Sequence, residues 1–382
     1  MQSEKKAAIA AALLATFFTS PLSALAGESH SITELLSTAK SKIPHLLSDK
    51  KEDVRDLLSL VKGRHDRHHR YHRNDVCRQD FDADSLDVSS LSFENEFLIP
   101  GLTPGWSIME GPVWKDGGLY MSHIGIKYFP ELEEPSQPEM NNPSDLVLWK
   151  DGVLSTVEQR YGSNGLTLDM RGNLVAARHF DGSITEYESG AVLANSYDGA
   201  RFNSPNDLII GKRGDVYMTD PDWQANEVVQ PQAAERAYHV DRSGNVTAIS
   251  DGVNIEKPNG VYLSRNEKTL FVGGANGLFT FDVKRNGSVD VDSIEQVLVD
   301  TIPGTDGMTR DCAGNLWITS GNAVHVASFK GHKVKHLGQI PLSRVTNLAF
   351  GGEDGRTLYA TVMGPETVGL YSVQVSIPGM PY

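Results

Sequence analysis

Four places in the chain carry oxygen donors in a common register. Glu110 stands in Glu-Gly-Pro-Val-Trp, Asn206 in Asn-Ser-Pro-Asn-Asp, Asn259 in Lys-Pro-Asn-Gly-Val and Asp306 in Thr-Asp-Gly-Met. A second strand-like run opens 8 residues after Glu110 at Gly118, 8 after Asn206 at Gly214, 9 after Asn259 at Lys268 and 8 after Asp306 at Gly314. Buried strands that start with amides and carboxylates are costly unless those groups find partners. Two carboxylates and two amides suit a hard cation, Ca2+, Mg2+ or Mn2+. Zn2+ more usually brings histidine or cysteine. With about four protein ligands, such an ion keeps positions open for water and substrate. It then polarises a carbonyl and helps form hydroxide, with Asp306 as general acid/base. Asp and Asn are also common turn formers, so each position alone reads equally as a turn. The shared register is what argues for a site.

The elements that position these residues repeat. A turn and an apolar strand recur at Gly118-Leu119-Tyr120-Met121, Gly172-Asn173-Leu174-Val175, Gly214 to Met218, Lys268 to Val272, Gly314 to Ile318 and Arg356 to Ala360. Successive starts lie 54, 42, 54, 46 and 42 residues apart, the period of a four-stranded propeller blade. The expected fold is all-β, a six-bladed β-propeller over residues 90–382. A β-sandwich with regular hairpins is the alternative. The ring needs closing because an open edge pairs with other chains, and Phe97-Leu98-Ile99 or something just before it is expected to complete the last blade. Each of the four donors falls one strand upstream of a landmark strand, so pseudo-symmetry points them at one spot on the axis.

Residues 1–26 read as a signal peptide: Lys5 and Lys6, an apolar core from Ala7 to Phe18, and Ala24-Leu25-Ala26 before Gly27. The core is short for a membrane anchor, which needs about 20 apolar residues. Secreted or periplasmic location follows as an expectation, with no membrane attachment after cleavage. Residues 27–89 form an arm with a capping box at Ser31-Ile32-Thr33-Glu34 and a second amphipathic stretch from Asp49 to Val61. Its residues 64–73, rich in His and Arg, read as a solvated linker more readily than a metal site, because the arginines repel a cation. Cys77 and Cys312 are either a disulfide joining the arm to the main domain or two separate thiols. A net charge of −14 argues against a nucleic-acid partner. No phosphate-binding glycine loop and no Gly-x-Ser-x-Gly elbow is present.

Taken in order, Glu-Gly-Pro-Val-Trp, Asn-Ser-Pro-Asn-Asp, Pro-Asn-Gly-Val and Asp-Gly-Met resemble the SMP-30/gluconolactonase/LRE-like family over roughly residues 100–373. The resemblance implies a six-bladed propeller with one divalent cation in its channel, hydrolysing sugar lactones or related esters. It implies Glu110, Asn259 and Asp306 as metal ligands, Asp306 as the acid/base, and Asn206 as a substrate contact that also reaches the metal. Asn203 and Thr219-Asp220-Pro221 match the bacterial and fungal gluconolactonase version. Where the animal version has a substrate-binding arginine, this chain has Ser204. His179 and Arg178, at the end of a channel-side strand, are further substrate-contact candidates, and His123 replaces the family's usual aspartate.

Two classes of function are open at this point. One is an exported, metal-dependent lactonase acting on a small-molecule sugar lactone, with a non-sugar lactone or ester as its nearest rival. The other is a non-catalytic propeller that binds a ligand around a structural cation.

Overall fold

A computed structural model describes residues 76–77, 80–100, 105–127, 143–224, 232–250, 255–330, 333–365 and 367–381. The chain separates into two units, residues 1–68 and 69–382, and every described residue belongs to the second. The leader, the capping box, the amphipathic stretch and the His/Arg run named above lie outside the described residues.

Local chemistry sets the strands. Between the first and second strands of two repeats, an aspartate carboxylate collects the turn. Asp169 Oδ1 accepts from the Arg171 and Asn173 amides at 2.7 and 2.8 Å, and Asp311 Oδ1 accepts from the Asn315 amide at 2.9 Å. The glycine of each turn, Gly172 and Gly314, has φ of 86° and 92°, the left-handed region where a side chain is costly. The alternating apolar residues that follow then run as strands buried on one face or both.

β1 (Glu94–Pro100) precedes the first meander, which is β2 (Gly105–Lys115), β3 (Gly118–Lys127), β4 (Asp145–Lys150) and β5 (Val153–Glu158). The second is β6 (Ser163–Leu168), β7 (Leu174–Arg178), β8 (Ser183–Glu186) and β9 (Val192–Ala194). A two-stranded hairpin, β10 (Ser196–Tyr197) and β11 (Ala200–Arg201), leads into the third: β12 (Leu208–Ile210), β13 (Val216–Asp220), β14 (Arg236–Val240) and β15 (Val246–Ala248). The fourth is β16 (Val261–Leu263), β17 (Thr269–Gly274), β18 (Gly277–Val283) and β19 (Val289–Val297). The fifth is β20 (Met308–Arg310), β21 (Leu316–Ser320), β22 (Ala323–Lys330) and β23 (Lys333–Pro341). The last is β24 (Val345–Gly351), β25 (Thr357–Gly364) and β26 (Thr367–Gln374), and β1 pairs antiparallel with β26 as its fourth strand. The Phe97–Ile99 expectation is met by pairings of Phe97 with Leu370 and Ile99 with Val368.

The all-β expectation holds: among the described residues the helical structure is two short 3-10 turns, Ala83–Ser85 and Val88–Ser90. Among the described residues the strand pairings are antiparallel and fall into one 8-stranded, one 2-stranded and four 4-stranded sheets. The first strands neighbour one another in chain order, β2 with β6, β6 with β12, β12 with β16, β16 with β20 and β20 with β24, and β24 lies against β2. The core sits between successive meanders. One cluster joins Met109, Met121, Tyr359 and Leu370 across the last and first; another joins Val175, Phe202, Met218 and Tyr238 across the second and third.

The segment before β1 is fastened to the last two meanders. Leu86 and Val88 pack among Trp317, Val326 and Ile340, and Cys77 forms a disulfide with Cys312 in the β20–β21 turn, Cα–Cα 5.2 Å. The bridge closes a sequence separation of 235 residues. Chain-entropy arguments give a crosslink of that length up to about 5 kcal/mol of stabilisation. The Cys77→Ser/Cys312→Ser variant is therefore expected to unfold several degrees below wild type by calorimetry. Equal melting temperatures would show that packing alone holds the segment.

Candidate functional site

The residues that enter the first strands share one backbone register. The Asn206 amide donates to Thr219 O at 2.9 Å and the Thr219 amide to Asp207 O at 3.0 Å. Asn259 and Gly260 make the same pair of bonds with Gly273, both 2.8 Å, and Asp306 and Gly307 with Thr319, both 3.0 Å. Glu110 pairs with Ser122 in the β2–β3 ladder. Asn164 in β6 and Thr346 in β24 occupy the corresponding places of the two remaining meanders. One residue from each meander thus enters a common layer.

Buried hydroxyls tie this layer together. Thr219 Oγ1 donates to Asn259 O at 2.5 Å, Thr319 Oγ1 to Thr346 O at 2.7 Å and Thr346 Oγ1 to Met109 O at 2.6 Å. The Ser122 and Ser163 hydroxyls share a bond of 2.7 Å. Each bond runs from one meander to the next, so donor positions are fixed by their neighbours as well as by their own strand. The following residue is glycine in four places, Gly111, Gly165, Gly260 and Gly307. A Cβ on Gly260 would collide with the Asp306 carbonyl, and one on Gly307 with the Asn347 side chain. Glycine here allows the first strands to approach closely.

The other two places hold Asp207 and Asn347, buried to 7% and 6% exposure. They help line a cavity of about 20 Å3 just beyond the layer, together with Gly111, Thr167 and Thr309. Asn347 Nδ2 donates to Glu110 Oε2 at 3.0 Å, and the Gly111 amide donates to the same oxygen at 2.9 Å. The Asn259 side chain hydrogen-bonds the Asp306 carboxylate. Asp306 also feels the charges of Glu110 and Asp207. Asn259 thus contacts Asp306 directly, Glu110 acts on it electrostatically, and Asp207 adds a third carboxylate.

Among the described residues no lysine or arginine forms an ion pair with any of the three. Burial pushes the Glu110 carboxyl up to about 7, against hydrogen bonds from Gly111, Asn347 and Thr346. Burial and then the Glu110 charge push Asp207 to about 7. Asp306 is held well above the ordinary range by burial, then by Glu110 and Asp207. No three His, Cys, Asp or Glu side chains among the described residues are spaced to cage a metal by themselves. A cation here has to be shared between carboxylates and amides. The uncompensated charges fit one in donor chemistry.

Asn206 is buried, and its backbone amide is fixed by the bond to Thr219 O. Asn203 is used differently. Its Nδ2 donates to Ala234 O at 3.2 Å, while the Asn203 and Ser204 amides donate to the Asp220 carboxylate, both at 2.8 Å. Asp220, fully buried and raised to about 7 by that burial, thereby pins the loop that delivers Asn206. Arg178 spends its guanidinium on Tyr161 O, at 3.0 and 2.8 Å, and on Asp181 at 2.6 Å. His179 is fully buried, and neither ring nitrogen has a partner among the described residues. Burial, with Arg178 and Arg201 nearby, pushes it down to about 3, so its ring is neutral.

Asn164 in this layer and Asn347 beside it escape the sequence reading, which quoted Asp207 within Asn-Ser-Pro-Asn-Asp but assigned it no role. Asn164 lies 8 residues before Gly172, the same count that found Glu110, Asn206 and Asp306. Asp207 and Asn347 stand where other repeats have glycine, a contrast visible only once the repeats are aligned by their backbone bonds.

The raised carboxyls set a pH dependence. Glu110 and Asp207 bind protons more tightly folded than unfolded, so the cation-free fold loses stability as pH rises from the ordinary carboxyl range through about 7. Glu110→Gln removes one of these terms. In chelator, the variant is expected to gain a few kcal/mol on wild type between pH 4.5 and 7.5 in urea unfolding. A difference that stays constant with pH would contradict this.

Comparisons with known proteins follow the same lines. The SMP-30/Gluconolactonase/LRE-like region profile matches residues 108–364. The chain is 26% identical to a gluconolactonase of Zymomonas mobilis over 282 residues, 66% of this chain and 75% of that one. In three dimensions it is similar to a gluconolactonase of Xanthomonas campestris, with TM-score 0.58, 23% identity and coverage of 75% of this chain and 91% of the other. It is also similar to the calcium-binding protein regucalcin of Agrobacterium tumefaciens, with TM-score 0.54, 17% identity and coverage of 76% and 96%. With well over half of its length matched, the chain belongs to the SMP-30/gluconolactonase/LRE-like family.

Proposed function

We propose that the chain is an exported, divalent-cation-dependent lactonase that opens a sugar lactone where the first strands begin. The carrying observation is that Glu110, Asn259 and Asp306, from three different meanders, lie in one layer where no lysine or arginine among the described residues forms an ion pair with the two carboxylates. The family and its gluconolactonase relatives support a lactone-hydrolysing enzyme, a carboxylic ester hydrolase with a small-molecule substrate. In this reading the meanders are the blades of a six-bladed propeller and the site lies in its channel. The leader-like residues 1–26 and the Cys77–Cys312 disulfide, a bond of oxidising compartments, support export.

Glu110, Asn206, Asn259 and Asp306 would hold the cation, Ca2+ first and Zn2+, Mg2+ or Mn2+ as alternatives, which when bound supplies Lewis acidity toward the lactone carbonyl. Asp306, partly accessible, takes a proton from water as the water oxygen bonds to the carbonyl carbon. The ring C–O bond breaks and Asp306 returns the proton to the departing oxygen, leaving a hydroxy acid. Asn347 and the Gly111 amide keep Glu110 oriented throughout. The Asn206 amide and the neutral His179 ring are offered to substrate oxygens. Asn203 and Arg178 serve the same substrate pocket by holding its loops.

Purified protein lacking residues 1–26 tests the reading with a panel of aldonolactones, followed by proton release. Chelation is expected to abolish turnover and added Ca2+ to restore it. Asp306→Ala is expected to lose at least about 100-fold in kcat, a barrier increase of about 2.7 kcal/mol. Turnover that survives both exhaustive chelation and Asp306→Ala would refute it.

A further inference from the structure

Asn164 is placed like a site residue and has no structural task to explain it. Its carbonyl oxygen abuts Gly111, and the Gly165 amide donates to Asn206 O at 2.6 Å, so it lies in the ring between Glu110 and Asn206. Its side chain is 4% exposed, and Oδ1 has no hydrogen-bond partner among the described residues. An orphan acceptor of this kind is costly unless a ligand faces it. The neighbouring donors of the layer are not in this position. Glu110 accepts from Gly111 and Asn347, Asp306 from Asn259 and Gly307, and the Thr346 hydroxyl bonds Met109 O. Asn164 Oδ1 is therefore the one buried oxygen of this layer left without a proton or a positive charge to face, among the described residues.

We infer that Asn164 Oδ1 is a further oxygen ligand of the cation held by Glu110, Asn206, Asn259 and Asp306, so that five first strands supply the metal site and the sixth, through Thr346, supports it. This rests on the cation reading above. A carboxamide oxygen is a ligand type that Ca2+ accepts readily. A cation in the layer would satisfy the acceptor and offset the three carboxylates together.

Calorimetric titration of chelator-treated protein with Ca2+ tests this without reference to turnover. Asn164→Ala is expected to weaken Ca2+ binding by about tenfold or more, and Asn164→Asp, which keeps an oxygen in place, to retain it. Thermal unfolding supplies a second readout. Cation-free Asn164→Ala should melt no lower than wild type, because an unsatisfied acceptor has gone, yet gain less from added Ca2+. Asn164→Leu, close in size and lacking the oxygen, serves the same purpose should the alanine variant fail to fold. Wild-type Ca2+ affinity in Asn164→Ala or Asn164→Leu, alongside weakened binding in Asn259→Ala, would overturn this inference alone. Absence of Ca2+ binding by wild type would overturn the cation reading with it.

Discussion

Glu110 and Asp207 are buried and Asp306 half-buried within reach of one another's fields, and among the described residues no lysine or arginine forms an ion pair with them. Burying one carboxylate is costly, and each further like charge nearby raises the cost. Much of the surrounding structure answers this constraint. Backbone amides of Gly111, Leu208 and Gly307 and the side chains of Asn259 and Asn347 all point hydrogen-bond donors at the three groups. These bonds orient the carboxyls without cancelling their charge. Carboxylates and amides gathered in this way are the oxygen-donor types that suit a hard cation.

The first strands act as a positioning frame. Each contributes a residue to the layer at its entry, and each leans on the next through a buried hydroxyl or a glycine contact. Thr219 reaches Asn259, Thr319 reaches Thr346, and Thr346 reaches Met109. Gly260 lets the Asp306 backbone pass at a distance no side chain would permit. Precision at the site therefore comes from contacts between meanders rather than from any single strand. The apolar clusters between successive meanders hold the same spacing farther out.

The loop from Arg201 to Asp207 shows how polar residues divide between structure and chemistry. Asp220 binds the Asn203 and Ser204 amides, Ser204 Oγ donates to Pro221 O at 2.6 Å, and the proline sits between these anchors and Asn206. The result is that Asn206 is held at a defined place. Asn203 and Asn206 are alike in type and three positions apart, yet the side chain of the first is consumed by the loop while the second stands at the entry of β12.

Much of this was legible before any coordinates. Repeat spacing announced the strand units, because a four-stranded meander has a nearly constant contour length and its turns need glycine and aspartate at set offsets. The same count singled out Glu110, Asn206, Asn259 and Asp306, since residues at equal offsets in equal units take equal places. Asn164 obeyed that count as well. Other features were decided only in three dimensions. Whether Cys77 meets Cys312 depends on where a segment 235 residues away comes to lie. Arg178 and Asn203 look free in one dimension, but their partners Tyr161 and Ala234 belong to other strands and loops. Asp207 and Asn347 acquire their roles from the gap that neighbouring glycines leave. Sequence by itself determined which residues occur at each repeat's entry, through covalent spacing and turn chemistry. Tertiary structure decided which of them keep an unsatisfied atom, because hydrogen bonds and charges act through space between strands far apart in the chain.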